Sequence, residues 1–532
     1  MNKLRSGMMK KVVSILLVLS AVVSLTACGG SSAETSSSGV DEGTPVVSEE
    51  LKVGLNGDPA TLDPLMTTGA ITRDCNRYIY EGLFEMNANY EPELQLASDY
   101  KVNSDYTEFT FNLRQGVKFH NGKEMTADDV VASLNRWLSK NSAVKSLITG
   151  GEQFEKVDNY TVKILLTNPC YTLPAAMCAP AQFAAIMPKE VVEAATNDKG
   201  VSEYIGTGPM KYVEWKQNQY LLLEKNNDYQ PPRDTLDGEA GNKTVYFNKV
   251  YLYFVTDSTI RTAGIQSGEY DIVSGVSYDD VSMLQSNANV KLDKSLLGYG
   301  AVIFNKADGI LAQNETLRAA ITYAVDCDQL IKAAYPAEGY YETSSSMMPT
   351  GSKWYTKAGT DAVNAKDMTK AKELLTQSGY NGETIKVITN QTYSQHYNAT
   401  LVLVQQLEQL GLNVDLEVVD WTTMLEYKKT HGTYDLYFVD YPAVTTPTSL
   451  RTISQTDEGW TTWPEFFSLL NKVTSATSDD EAVKAWEECH KYLFTHYSFI
   501  PVGYSYYCNA ASSSIHNYHA ISCQSIFGCW KS

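Results

Sequence analysis

In the stretch "LYFVDYPAVTTPTS", residues 436–449, a carboxylate cuts short an apolar run. Leu436, Tyr437, Phe438 and Val439 read as a buried strand. Asp440 follows at once, and Pro442 is expected to end regular pairing. An acid at such a tip has two readings: a turn residue or helix cap, or an anchor for a positively charged ligand group. The usual signatures of catalysis are missing. The chain has no G-x-S-x-G, H-E-x-x-H or G-x-G-x-x-G. "GVKFHNGK" (116–123) misses the Walker A spacing by one residue and reads as a hairpin turn, and "GTGP" (206–209) carries only turn chemistry. The acidic pairs Asp128-Asp129 and Asp279-Asp280 fall at helix starts or in turns. His516 and His519 form H-x-x-H with Cys523 nearby, a spacing that ordinary packing explains more simply than a metal. The eight cysteines after Cys28 (Cys75, Cys170, Cys178, Cys327, Cys489, Cys508, Cys523 and Cys529) form no C-x-x-C pair and no zinc set. Cys170–Cys178 and Cys523–Cys529 are close enough in sequence to pair, but mostly free or buried thiols are expected. With no nucleophile or general base nominated, the expectation is binding without catalysis and without a cofactor or metal.

The elements around Asp440 give its position meaning. "TIKVITN" (384–390), "LNVDLEVVD" (412–420) and "YDLYFVDY" (434–441) read as strands. Between them, "YNATLVLVQQLEQLG" (397–411) and "WTTMLEYKKTHG" (421–432) read as helices. This alternation predicts a parallel α/β sheet, in which ligands sit beyond the carboxyl ends of the strands. Asn390, Asp420 and Asp440 occupy those ends. Upstream, "LKVGLNG" (51–57) is a strand and "YTEFTFNLRQGVKFHNG" (106–122) a hairpin turning at Gly116. "MTADDVVASLNRWLS" (125–139) is an amphipathic helix capped by Thr126, and 156–168 is a strand. Residues 314–335 and 367–380 each predict one helix.

A chain of 532 residues exceeds one core, so two or three domains are expected. Its 43% hydrophobic and 20% charged residues are those of a globular protein, and a net charge of −19 argues against a nucleic-acid partner. Thirty-five tyrosines suit clefts for peptides or sugars, although most must serve ordinary packing. At the N-terminus, Lys3, Arg5, Lys10 and Lys11 precede the apolar run 12–25 and then "LTAC", ending at Cys28. This order looks like a lipoprotein signal peptide (1–27) whose lipidated Cys28 becomes the first residue. Loss of those four basic residues takes the charge from −19 to −23. Residues 28–50, rich in Gly, Ser and Thr, read as the lipidated Cys28 and a flexible tether.

Six segments in order, "PATLDPLMTT" (59–68), "EGLFEMNANYEPELQLASDYKV" (81–102), 109–133, "GTGPMKYVEW" (206–215), "GIQSGEYDIV" (264–273) and 304–331, resemble the family 5 extracellular solute-binding proteins. These are the oligopeptide- and dipeptide-binding lipoproteins of ABC importers. The resemblance implies an α/β, two-lobed, periplasmic-binding-protein-like (class II) fold with a hinge. Lobe one would comprise 51–75, 205–298 and 499–532, with an extra α/β subdomain inserted at 76–204. Lobe two would be 299–498. Arg114 would pair with a carboxylate to lock the subdomain. Asp440 would hold a peptide α-amino group, and Tyr437-Phe438-Val439 and Gly69-Ala70-Ile71 would pair with the peptide backbone. Asn390, Trp421 and Tyr441 complete the expected site. The family often has a Gly-Trp pair where this chain has Leu436-Tyr437.

The implied partners are a short peptide, ABC permease and ATPase subunits, and a membrane face reached through the lipid. The chain itself would be a monomer. An oligosaccharide, suggested by Trp421, Trp460 and Trp463, a nickel complex or another small solute are alternatives on the same fold. A surface-tethered hydrolase or adhesin is the alternative of another class.

Overall fold

The run from 384 to 442 folds as its alternation demands. In the computed structural model, which describes residues 44–196, 199–456, 458–520 and 524–532, strands Thr384–Asn390, Asn413–Val419 and Leu436–Pro442 alternate with helices Ser394–Leu410 and Trp421–Tyr427. The signal-like segment, Cys28 and Cys523 lie outside the described residues. Leu403, Leu407 and Leu410 bury one face of the first helix, and Gly411, at φ 111°, ends it in the left-handed conformation that glycine accepts without strain. Asp420 caps the second helix: its carboxylate accepts from the Thr423 N–H at 3.0 Å. Of the three strand-end residues, then, Asp420 is a cap. Thr384–Asn390 runs parallel to Asn413–Val419 along its whole length, but meets Leu436–Pro442 only at Val387 and Leu436. Pro442 is the last residue of its strand, and its place opposite Gly298 closes the ladder.

These strands form one end of an eleven-stranded mixed sheet. Its middle is two long antiparallel strands, Val290–Phe304 and Phe499–Ser512, paired from Val290 opposite Ser512 to Ile303 opposite Phe499. Its other half holds Ser48–Leu55, parallel to both Phe247–Phe254 and Ile272–Val273. The expected boundary at 298/299 thus falls inside a continuous strand. At that point Gly298 is required by space, because a Cβ there would lie 1.8 Å from the Tyr441 carbonyl oxygen. Leu436 and Phe438 point into one apolar core and Tyr437, Val439 and Tyr441 into another, as the two-residue strand period requires.

A separate four-stranded antiparallel sheet, ordered Ala97–Val102, Glu108–Leu113, Thr161–Leu165, Phe154–Asp158, has its own core. Here three expectations are corrected. Glu108–Leu113 pairs with Ala97–Val102 and Thr161–Leu165, not across Gly116; Val117 and Phe119 are buried in the core without joining a strand. The single strand expected over 156–168 is two, folded back at Asn159-Tyr160. Arg114 donates to the carbonyls of Gln95, Gln230 and Pro231 (2.8–3.2 Å) rather than to a carboxylate. The helix over 125–139 forms as Ala127–Lys140, with Thr126 and Asp129 in a reciprocal capping box. Residues 314–335 give two helices instead of one, because Asp326 starts a new one by capping the Gln329 N–H.

The seven described cysteines after Cys28 are buried and unbridged, Cys170 and Cys178 included. His516 stacks on Trp530 with ring centroids 4.0 Å apart, and His519 faces Asp293. Among the described residues no three His, Cys, Asp or Glu gather as a metal site, and no helix is long and apolar enough to cross a membrane.

Candidate functional site

A cavity of about 640 Å³ opens at the carboxyl ends of the sheet strands, a size ordinary for small-ligand sites. Asn56 and Gly275–Tyr278 enter it from just beyond Ser48–Leu55 and Ile272–Val273. Trp421, Asp440, Tyr441 and Pro442 enter from the parallel strands opposite. Leu297, Tyr507 and Cys508 come from the two long central strands, and Tyr393, Gln395 and His396 from the start of the Ser394–Leu410 helix. Five tyrosines line it, at 278, 335, 393, 441 and 507.

Asp440 is the cavity's buried acid. His396 Nε2 is hydrogen-bonded to one carboxylate oxygen, and the Tyr335 hydroxyl donates to the other at 3.1 Å. Burial pushes the Asp440 carboxyl up, but the hydrogen bonds from His396 and Tyr335 help to outweigh it. The group is held below the usual carboxylate range. The same burial, with the Asp440 charge beside it, drives the Tyr335 phenol well up, so Tyr335 stays a donor.

The tautomer of His396 follows from its neighbours. The Tyr393 N–H donates to Asn390 Oδ1 at 2.9 Å, which fixes which end of the amide is oxygen. Asn390 Nδ2 then faces His396 Nδ1 at 3.0 Å and Met424 Sδ at 3.2 Å. An amide nitrogen only donates, so Nδ1 must accept and Nε2 carries the proton toward Asp440. Asn390 is therefore fully buried behind the cavity and acts on Asp440 through His396.

Behind Tyr441 lies a second charge cluster. Lys428 Nζ pairs with Glu458 at 2.8 Å and sits 5.4–5.6 Å from the rings of Trp421, Tyr437 and Tyr441. The Tyr441 hydroxyl donates to Glu458 at 2.8 Å. Burial pushes Glu458 up, and Lys428 together with the two tyrosine hydroxyls brings it net down.

Asp440, Trp421 and Tyr441 thus meet at the cavity. Tyr437, Phe438 and Val439 do not: their side chains are at most 2% exposed, and their backbone pairs with Ala301–Ile303. Gly69-Ala70-Ile71 is no extended edge either, since Ala70–Asn76 is a helix with Gly69 as its N-cap. Thr68 supplies that wall instead. Trp460 and Trp463 pack in the core and beside it, away from the cavity. His396 and Tyr335 carried no local signal. Only the start of the helix after a strand's carboxyl end pointed toward His396.

The sequence model of the bacterial extracellular solute-binding proteins, family 5 Middle, matches residues 91–460. The probable peptide ABC transporter periplasmic-binding protein y4tO of Sinorhizobium fredii is 26% identical over 481 residues, covering 86% of this chain and 88% of its own. The substrate-binding protein CtaP of Listeria monocytogenes superposes with a TM-score of 0.80 at 21% identity, over 91% of this chain and 99% of its own. The oligopeptide-binding protein AppA of Bacillus subtilis, solved with a nonapeptide, gives 0.72 at 22% identity, over 92% of this chain and all of its own. Those folds are two-lobed, and the α/β architecture found here is theirs. The chain belongs to the family 5 bacterial extracellular solute-binding proteins.

Proposed function

We propose that this protein is the capture component of an ABC importer for short peptides. The observation that carries the reading is Asp440: a largely buried carboxylate, held below the usual carboxylate range, facing a cavity of about 640 Å³ at the strand ends. An ammonium enclosed there needs a charged partner, and the carboxylate supplies one. His396 and Tyr335 already bond to Asp440, so the incoming amine shares the carboxylate with them. Relatives named for peptide transport and a structural neighbour holding a nonapeptide support this cargo. Closure about the central strands would trap the ligand, and the closed form would dock on a permease whose ATPase subunits drive transport. Cys28 would carry lipid and hold the monomer at the outer membrane face. The reading assigns no catalytic step to the chain.

Calorimetry with di- to pentapeptides, each with free and acetylated N-termini, tests it. Removing one partner of a buried charge pair costs about 3–5 kcal/mol, so acetylation should weaken binding by roughly 10²–10⁴-fold. Equal affinity for the two forms removes Asp440 from this role. Trp421 and the five tyrosines favour a second reading, an oligosaccharide stacked on rings. A sugar panel that raises the melting temperature while peptides do not would select it.

A further inference from the structure

The charge presented at Asp440 depends on how many protons His396 carries. A neutral imidazole leaves the carboxylate its full charge, whereas an imidazolium cancels it. The Asn390 side chain is fully buried and His396 is 3% exposed. Both ends of the Asn390 amide are committed: its oxygen accepts the Tyr393 N–H at 2.9 Å, and its nitrogen lies 3.0 Å from His396 Nδ1 and 3.2 Å from Met424 Sδ. A proton on Nδ1 would set two buried donors face to face. Turning the amide over to receive that proton would put its nitrogen against the Tyr393 N–H and repeat the clash there. The backbone acts in the same sense. His396 is the third residue of the 17-residue helix Ser394–Leu410, whose positive end opposes a further positive charge. Against these stands Asp440, whose carboxylate accepts from Nε2 and favours a cation. The rings of Tyr393, Trp421 and Phe438, with centroids 5.2–6.3 Å from that of His396, bring no charge to it. Lys428 sits 5.6 Å from the Trp421 ring, but it is paired with Glu458.

We propose that Asn390 is a specificity-determining residue of this cavity: by holding His396 as a neutral donor it keeps the charge of Asp440 uncancelled, and so reserves the site for ligands that bring an ammonium. The inference rests on the peptide reading and adds the device that sets its selectivity. Asn390 does not line the cavity. It is a positioning residue, fixing which nitrogen of His396 carries the proton and denying the ring a second one. The amide matters more than the shape. In Asn390→Asp the side chain still accepts the Tyr393 N–H, and its second oxygen welcomes a protonated Nδ1. His396 then becomes an imidazolium between two carboxylates. Its positive charge sits against Asp440, where the ligand's ammonium has to bind, while the added carboxylate lies behind the ring and farther from the ligand.

Two readouts on the purified full chain test this. The first is the nitrogen NMR spectrum of isotope-labelled histidine at neutral pH, with His396 assigned by its loss in His396→Gln. The parent protein should show a neutral ring protonated at Nε2, and Asn390→Asp an imidazolium. The second is calorimetry with tri-alanine and acetyl-tri-alanine. A unit charge close by shifts an ionisation by about 1–3 tenfold steps, so the preference for the free amine should fall by about 10-fold or more in Asn390→Asp. Made in a His396→Gln background, the same substitution should leave the preference where His396→Gln alone has it, because a glutamine amide gains no proton. A merely structural effect would persist in that background. Melting curves show whether the variants fold, and the parent spectrum decides alone should Asn390→Asp not. An imidazolium in the parent protein, a preference unmoved by Asn390→Asp, or an equal loss in the His396→Gln background overturns the role of Asn390 and leaves Asp440 as the amine's partner. A parent protein that binds both peptides equally overturns Asp440 as that partner and the selectivity with it, whatever the spectrum shows.

Discussion

At the scale of single residues, Asp440 concentrates the protein's acid chemistry. Its folded pKa lies below the ordinary one: burial raises it, while the hydrogen bonds from His396 and Tyr335 help to bring it net down. A carboxyl of this kind contributes stability above its unfolded pKa of about 4, and that contribution is lost as pH falls through the lower folded value. Urea midpoints of the parent protein should therefore drop below about pH 4. In Asp440→Asn that part of the drop should flatten, although other carboxylates still titrate. Identical acid limbs in the two proteins would show that the His396 and Tyr335 contacts do not bias Asp440. The same residue shows the limit of reading a chain locally. Asp440 stood out because an acid followed four apolar residues. Its partners did not, since His396 is 44 positions away and Tyr335 is 105. Only the folded sheet brings them to one point.

At the scale of elements, the stretch 384–442 was legible because strand and helix periods alternate with clear stops such as Gly411 and the Asp420 cap. Elsewhere the period misled. Val117 and Phe119 extend the apolar alternation of Phe109, Phe111 and Leu113, yet they lie in a short turn closed by the Lys118–Glu124 bridge and by bonds to Lys123 and Met125, not in a strand. Residues 69–71 looked like a ligand-pairing edge by resemblance, whereas the chain turns there into a helix. The breaks at Asn159-Tyr160 and Asp326 depend on side chains capping or turning the backbone, which apolar spacing does not record. Gly298 carried no signal either, because its reason is the Tyr441 carbonyl across the strand pair. That contact gives an element-scale expectation. In Gly298→Ala the added methyl meets backbone rather than a flexible side chain, so Val290–Phe304 and Leu436–Pro442 must separate. The cost should be about 1–3 kcal/mol or more, read as a lower urea midpoint. Ligand affinity should fall too, because Asp440 and Tyr441 ride on the displaced strand. A variant with native stability and affinity would mean that the strands yield there without strain.

At the scale of the whole folded body, the two central strands are continuous through the sheet, but their register slips between Leu296 and Gly298 and again between Gly300 and Ala301. Those irregularities lie beside the cavity wall at Leu297. If the proposed closure bends the strands there, opening would break the contacts across a second cavity of about 280 Å³. Lys353 is the centre of those contacts. It pairs with Glu91 at 3.0 Å and Asp479 at 2.8 Å, and its ammonium lies 5.3 Å from the Tyr171 ring. Glu91 and Tyr171 precede and follow the four-stranded sheet in the chain, whereas Lys353 and Asp479 belong with the Asp440 half. The Tyr171 N–H adds a bond to the Thr474 carbonyl at 2.9 Å. Half-exposed ion pairs of this kind are worth about 0–1 kcal/mol each, which suits a latch that must release. In Lys353→Met the unliganded protein should therefore populate a more open form, seen as a larger radius of gyration by X-ray scattering. Ligand affinity should fall only about 2–10-fold, since the loss is in the closing equilibrium and not in the ligand's own contacts. The liganded radius should match that of the parent protein. Unchanged scattering together with unchanged affinity would mean that Lys353 contributes nothing to closure, leaving the aromatic faces of Tyr171 and Trp354 to hold the two parts together.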